Sequence, residues 1–80
     1  MSLLWTVRVG AKYLHYSGKG PYTITGIALN ASTLKPDVIY RQDYQHEKFR
    51  KGQLWHRDLD EFLGKVNKDG KWIPRFKRIQ

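Results

Sequence analysis

The chain has 80 residues, enough for one small domain, and its lack of cysteine excludes disulfides, thiolate metal ligands and a cysteine nucleophile. The lack of cysteine fits a reducing, intracellular setting, and no apolar run approaches the roughly 20 residues that cross a bilayer. We therefore expect a cytoplasmic protein without membrane association. Fifteen Lys and Arg against seven Asp and Glu leave a net charge of +8, which attracts polyanions such as nucleic acid. The alternative is a lysine-rich surface that only keeps a small protein in solution.

The first segments of the chain alternate apolar and polar residues, as strands do. Trp5, Val7 and Val9 alternate with polar neighbours, which indicates an extra strand or an extended lead-in within residues 1–11. Residues 12–17 alternate in the same way and predict a short strand. A glycine-rich and proline-containing turn follows this strand and brings aromatic and cationic side chains to one sheet edge.

Two longer strands follow. Residues 22–29 are rich in β-branched and aromatic types, and Gly26 within them predicts a bulge or sharp bend. A turn region at 30–37 leads to a strand predicted over 37–44. Residues 45–52 predict a charged hairpin loop.

The last third of the chain predicts short elements with local signals. Residues 53–57 predict a strand, and Asp58 predicts the N-cap of a short helix over 59–63. Asp69 and Gly70 form a two-residue hairpin signal. Pro74 confines the residues after it to an edge strand.

These elements predict a mainly β protein of about five short strands with one short helical turn. Their order on so short a chain predicts a small SH3-like barrel. We therefore predict a single domain over residues 1–80. Residues 1–11 are its N-terminal extension or extra strand, and residues 12–78 are the SH3-like barrel core.

Several short motifs follow one another along this core. They comprise a tyrosine-x-histidine-tyrosine opening, a tyrosine strand with glycine and alanine, a valine strand with tyrosines, a leucine-tryptophan-x-arginine run and a closing proline-arginine-phenylalanine. The residues concerned are Tyr13, His15, Tyr16, Gly18, Tyr22, Gly26, Ala28, Val38, Ile39, Tyr40, Tyr44, Leu54, Trp55, Arg57, Phe62, Val66, Pro74, Arg75 and Phe76. In their order and spacing the chain resembles the small bacterial and phage domain-of-unknown-function family 1653. The resemblance implies a compact barrel of the SH3-like kind and leaves the activity open.

The sequence does not favour catalysis. The serines lie near the N-terminus or in turns, without the activating base that a nucleophile needs. The histidines His15, His46 and His56 lack the spacing of a zinc site. The segment 18–20 lacks the glycine frame and following helix of a P-loop. We therefore predict no enzymatic activity, no catalytic residue, no metal site and no cofactor.

Aromatic and cationic side chains are the best candidates for binding a ligand. The predicted ligand-binding residues are Tyr13, His15, Tyr16, Lys19, Tyr22, Tyr40, Arg57 and Arg75. The tyrosines could stack on bases or form an aromatic cage for a cation, while arginine grips phosphate through two donors.

Each type of candidate also has a structural alternative. Tyrosines fill the cores of small barrels, and we expect two or three of the five to be exposed. For His15 we favour a structural hydrogen bond. For Arg57 we favour an ion pair with a nearby acid. For Arg75 an ion pair and binding of a ligand phosphate or carboxylate are equally supported.

Taken together, these features predict a small, basic, non-catalytic binding module. Nucleic acid, bound by tyrosine stacking and Arg/Lys contacts, is the leading partner. The alternatives are an SH3-like adaptor for a protein or peptide partner, and a binder of small anionic nucleotides.

Overall fold

The computed structural model describes residues 7–80 of the chain. The predicted extra strand begins at Trp5, outside these residues. Its described part, Val7 to Gly10, is a bend and a turn rather than a strand. The Val7 side chain is buried in the core, and the Gly10 amide donates a hydrogen bond of 2.8 Å to the Ile24 carbonyl. This segment therefore packs against the sheet without joining it.

Strands dominate the described residues, and the prediction of a mainly β fold is confirmed. In chain order the elements are β1 (Lys12–His15), β2 (Tyr22–Leu29), β3 (Pro36–Gln42), β4 (Leu54–Asp58), α1 (Leu59–Phe62), β5 (Lys65–Lys68), β6 (Lys71–Pro74) and β7 (Phe76–Arg78). Five strands form one antiparallel sheet in the order β4-β3-β2-β1-β7, and β5 pairs with β6 as a separate hairpin.

Closure into an SH3-like barrel is not observed among these strands. Within residues 7–80, β4 and β7 lie at opposite edges of the five-stranded sheet. Closure would need the outer edge of β4 to pair with a later strand. The chain instead enters α1 after β4, and β5 and β6 then pair with each other. The predicted barrel is therefore corrected to an open sheet with an added hairpin.

The bulge predicted in β2 is confirmed. Ile24 lies opposite Tyr40, whereas Gly26 lies opposite Ile39, so the register shifts between them. The extra residue in β2 bends this strand and increases its twist.

Local signals account for the helix and the hairpin. The Asp58 side chain accepts hydrogen bonds from the amides of Asp60 at 2.9 Å and Glu61 at 3.2 Å, which is the expected N-cap geometry. The Asp69-Gly70 turn joins β5 to β6 with positive φ at both residues, 53° and 84°. That conformation suits the tight hairpin turn that this dipeptide predicts.

The core consists mainly of aromatic rings packed under the sheet. Phe62 of α1 stacks on Phe76 of β7, with ring centroids 4.2 Å apart. Tyr13 meets Phe62 edge-on at 5.1 Å, and Tyr40 lies 5.6 Å from the same ring. Aliphatic side chains, including the fully buried Ile24, complete the core. Because α1 supplies two buried residues, this short helix packs over part of one face of the sheet, near β3 and β4.

Candidate functional site

A pocket of about 310 Å³ opens where the β1–β2 loop, the β3–β4 loop and strand β4 meet, and we call it the aromatic pocket. Its aromatic walls are Tyr22, Tyr40, Tyr44, Phe49 and Trp55. The other lining residues are His15, Ser17, Lys19, Gln42, His46 and Arg57. A cavity of this size with apolar walls and a few polar groups is typical of a small-molecule site.

Gln42 organises one side of the aromatic pocket. The residue is 1% exposed, and its Nε2 donates hydrogen bonds of 2.9 Å to the carbonyls of Tyr44 and Phe49. Its Oε1 accepts a hydrogen bond of 3.2 Å from Trp55 Nε1. One buried amide thus holds the β3–β4 loop and the indole of β4 in place.

A pair of tyrosine hydroxyls lies beside this amide. The hydroxyl oxygens of Tyr22 and Tyr44 are 2.7 Å apart, and the two rings meet edge-on. Burial, together with the hydrogen bond to Tyr44, raises the pKa of Tyr22. The Tyr22 phenol is therefore protonated at neutral pH. Because one hydroxyl proton suffices for the hydrogen bond between Tyr22 and Tyr44, the other hydroxyl proton remains available for donation to a ligand.

Phe49 and Trp55 provide the most accessible aromatic wall. Phe49 is 42% exposed and meets the half-buried Trp55 edge-on, with ring centroids 4.9 Å apart. His46 stacks on Phe49 with centroids 5.8 Å apart. The β3–β4 loop therefore presents a partly open aromatic surface that is fixed by contacts with β4.

His15 lies on the other side of the aromatic pocket, next to Tyr16. Its Nδ1 accepts a hydrogen bond of 3.2 Å from the Ser17 amide and lies 2.7 Å from the Ser17 hydroxyl. Burial lowers the pKa of His15, and the positive charges of Arg57, Arg75 and Lys19 lower it further. The imidazole is therefore neutral at neutral pH, and it lies in a region of positive potential.

Arg57 supplies a fixed cation. Its Nη1 donates to Glu61 Oε1 at 3.3 Å, and its guanidinium carbon lies 5.8 Å from the Phe76 ring centroid. The ion pair agrees with the structural role favoured for this arginine. Its Nε is buried and, within residues 7–80, has no hydrogen-bond partner. Such an unpaired buried donor is costly unless a ligand or water satisfies it.

The eight predicted ligand-binding residues divide between the pocket and its surroundings. His15, Lys19, Tyr22, Tyr40 and Arg57 line the aromatic pocket. Tyr13 lies in the core, where burial raises its pKa and the Arg78 charge partly opposes that rise. Tyr16 is 37% exposed and packs on His15, with centroids 4.4 Å apart. Arg75 donates from Nε to the Glu61 carbonyl at 3.2 Å.

The other pocket residues were not among those predicted from the sequence. Phe49 and His46 belong to the predicted charged hairpin loop 45–52, and Trp55 belongs to the predicted strand 53–57. The buried role of Gln42 could have been predicted from the sequence, because this residue falls on the inward face of β3 with Val38 and Tyr40. A polar residue at an inward strand position indicates a buried hydrogen-bonding role.

The charges of the aromatic pocket have one sign. Lys19 and Arg57 are cationic, and none of the described lining residues is acidic. Within residues 7–80 no three His, Cys, Asp or Glu side chains lie close enough to hold a metal ion. The only helix of that range, α1, is too short and too polar to cross a bilayer. Because its walls are aromatic and its charged lining residues are both cations, the aromatic pocket is suited to a flat, electron-rich or anionic ligand.

The chain belongs to the family described as "Protein of unknown function (DUF1653)", whose model matches residues 11–78. This match confirms the resemblance and covers nearly all of the described fold. Neither the curated proteins nor the solved structures include a match to this chain.

Proposed function

We propose that this protein is a non-catalytic cytoplasmic module that binds single-stranded nucleic acid. A base would enter the aromatic pocket, and a neighbouring phosphate would contact Lys19 and Arg57. The observation that carries the proposal is the combination in one pocket of aromatic walls with charged groups that are all cations.

The aromatic walls favour a base over an aliphatic ligand. Every nucleobase has a π-face, and stacking on an aromatic side chain is worth about 1–3 kcal/mol per base. Phe49 is the wall residue with the most open ring, at 42% exposure. The spare hydroxyl proton of the Tyr22–Tyr44 pair offers a donor to a base edge.

The charges favour an anion over a cation. An aromatic cage for a quaternary ammonium group would be opposed by Lys19 and Arg57, because like charges repel in a partly desolvated site. Arg57 uses one nitrogen for Glu61, and its buried Nε is unpaired in the described residues. Because the Nε atom is closed to a ligand, a phosphate would be attracted by the charge of the Arg57 guanidinium and would accept a hydrogen bond from the exposed Lys19.

The pocket volume favours an unstacked base. About 310 Å³ lies at the lower end of the range for ligand sites and accommodates about one nucleotide. A base inside a duplex cannot enter such a pocket without being unpaired and unstacked, which costs a few kcal/mol. Single-stranded DNA or RNA is therefore the expected ligand, and a free nucleotide would occupy the same pocket less tightly.

The test is fluorescence anisotropy with a labelled single-stranded oligonucleotide at several salt concentrations. We expect Phe49→Ala to weaken binding about tenfold, through lost stacking. Lys19→Ala should weaken binding and reduce the slope of log K against log salt by about one. Both side chains are exposed, so neither variant should disturb the core.

The matched controls lie in the β2–β3 turn. Leu34→Ala removes an exposed apolar group, and Lys35→Ala removes an exposed charge, both outside the aromatic pocket. Neither should change affinity by more than about twofold. Equal losses in the pocket variants and the controls would reject the pocket as the site. Affinity that does not change with salt would favour a peptide ligand instead.

A further inference from the structure

The β5–β6 hairpin carries an exposed tryptophan. Trp72 is 67% exposed, and within residues 7–80 its side chain takes part in no hydrogen bond and no ring contact. The strand register explains this exposure. Val66 lies opposite Ile73, and both are half-buried, whereas Trp72 lies opposite the exposed Asn67 on the other face. Trp72 therefore contributes little to the fold.

The charge around Trp72 is positive. Lys65, Lys68 and Lys71 are all exposed, and within residues 7–80 none of them forms an ion pair. Asp69 at the turn is the single acid of the hairpin segment 65–74. Lys65 lies two residues before Asn67 and therefore on the same face as Trp72, whereas Lys68 and Lys71 lie on the opposite face beside the turn. An exposed aromatic ring with a free lysine on the same face is the composition of a surface that binds a nucleic acid strand.

Backbone hydrogen bonds attach this hairpin to one wall of the aromatic pocket. The Arg75 amide, directly after β6, donates to the Gly64 carbonyl at 2.9 Å and so closes the base of the hairpin. The Tyr16 amide donates to the Arg75 carbonyl at 2.8 Å. Tyr16 in turn packs on His15, which lines the pocket. The base of the hairpin is therefore hydrogen-bonded to Tyr16, the residue directly after the pocket residue His15.

We infer that Trp72 is a second stacking site for the same nucleic acid strand, with Lys65 on the same face of the hairpin contacting its phosphates. This inference rests on the proposed function of the aromatic pocket. Trp72 lies three residues before Arg75, so an extended strand places it about 10 Å from the base of the hairpin. A ligand that reaches both the pocket and Trp72 must therefore span several nucleotides.

The hairpin tip argues against an anionic membrane as the partner. A segment that inserts between lipid headgroups presents apolar residues at its leading end. Here the tip is Lys68, Asp69, Gly70 and Lys71, with charged residues on both strands. Trp72 lies behind this charged tip, on the side of the hairpin rather than at its end.

The experiment compares Trp72→Ala with Phe49→Ala on oligonucleotides of about 3 and about 12 nucleotides, lengths below and within the usual site size of single-strand binders. We expect Phe49→Ala to weaken binding of both lengths. Trp72→Ala should weaken binding of the long oligonucleotide about fivefold to tenfold and leave the short one unchanged. Trp72→Phe, which keeps a ring, should retain most of the affinity. Leu34→Ala is the control for loss of an exposed apolar side chain.

The two proposals fail in different ways. If the wild-type protein binds neither oligonucleotide, the proposed function is wrong and this inference falls with it. If Trp72→Ala binds the long oligonucleotide like the wild-type protein, the inference alone is overturned. Trp72-dependent binding to phosphatidylserine vesicles, without any effect on oligonucleotides, would assign the hairpin to a membrane and also overturn it. A thermal unfolding curve shows that each variant is folded.

Discussion

The indole Nε1 of Trp55 donates a hydrogen bond of 3.2 Å to the side-chain oxygen of Gln42. This bond joins β4 to the end of β3 beneath the aromatic pocket, and Gln42 uses its own donors to hold the loop between these two strands. The position of the Trp55 ring therefore depends on a polar residue that is almost completely buried. The Gln42 amide therefore both positions a wall of the aromatic pocket and stabilises the fold.

Replacement of Gln42 should destabilise the protein more than replacement of an exposed glutamine. Gln42→Met keeps the length of the side chain but leaves the Trp55 indole and two loop carbonyls without their partner. Unpaired buried polar groups cost about 1–3 kcal/mol each, and partial access to water reduces the total. We expect the free energy of unfolding to fall by about 2–4 kcal/mol in urea titrations. Gln53→Met, at an exposed position, should change it by less than about 0.5 kcal/mol. Equal stability of the two variants would contradict the role of Gln42.

Protonation of His15 should oppose folding. Its pKa is lowered from 6.5 by burial and by three nearby cations, so the unfolded chain takes up the proton first as the pH falls. The contribution of neutral His15 to the free energy of unfolding is therefore fully present above about pH 6.5. It is lost as the pH falls through the lower pKa of the folded state. We expect the midpoint of urea unfolding to decrease below pH 6.5 in the wild-type protein and to decrease less in His15→Gln.

An NMR titration of His15 provides a direct check. The free protein should show a His15 pKa below 6.5, and a bound oligonucleotide should raise it, because phosphate charge offsets the cations near the ring. A His15 pKa above 6.5 in the free protein would contradict the positive potential of the pocket. An unchanged pKa on binding would place the phosphates away from His15.

Local rules explain why most strands could be predicted from the sequence. Alternation located β1, β-branched and aromatic residues located β2, Asp58 located the start of α1, and Asp69-Gly70 located the hairpin. Each of these signals depends on neighbouring residues only. Closure of a barrel depends instead on pairing between distant strands. The order of elements is compatible with an open sheet as well as with a closed one, so the sequence could not distinguish them.

The candidate site was harder to predict than the fold. Residue type alone indicated His15, Lys19 and Arg57, which do line the aromatic pocket. The wall formed by Phe49 depends on hydrogen bonds from Gln42 to a loop that has no pattern of its own. Such long-range contacts become visible only when the strands are placed next to each other.

Asp43 should contribute stability that depends on its charge. Its carboxylate accepts hydrogen bonds from Arg41 Nε at 2.8 Å, Lys12 Nζ at 3.4 Å and the Thr23 hydroxyl, and so joins residues of β1, β2 and β3. Burial alone would raise the pKa of Asp43, but hydrogen bonds from Arg41, Thr23 and Lys12, together with the charge of Arg41, outweigh burial and lower it.

Because the folded-state pKa of Asp43 is depressed, its contribution is present above about pH 4 and is lost as the pH falls further. We expect Asp43→Asn to lower the free energy of unfolding by about 1–3 kcal/mol at neutral pH, with a smaller difference from the wild-type protein near pH 3. The control is Asp60→Asn, at an exposed position on α1. A loss in Asp43→Asn that is independent of pH would show that the carboxylate charge is not responsible.

Two glycines of the sheet region should respond to alanine in opposite ways. Gly20 has a φ of 147°, and a Cβ there would lie 2.7 Å from Leu14 Cδ2 and 3.3 Å from the Tyr13 carbonyl oxygen. Gly26 lies at the β2 bulge, yet its φ is not in the positive region and a Cβ would have no heavy atom within 4 Å. The bulge therefore needs an extra residue, whereas the turn before β2 needs glycine itself.

We expect Gly20→Ala to lower the free energy of unfolding by about 1–3 kcal/mol, since alanine is strained at this φ and its methyl group clashes with Leu14. Gly26→Ala should be neutral or stabilise the protein by up to about 1 kcal/mol, because alanine restricts the unfolded chain more than glycine does. Urea unfolding of the two variants under the same conditions measures the difference. A larger loss in Gly26→Ala than in Gly20→Ala would mean that the bulge, and not the turn beside Lys19, is where the backbone requires glycine.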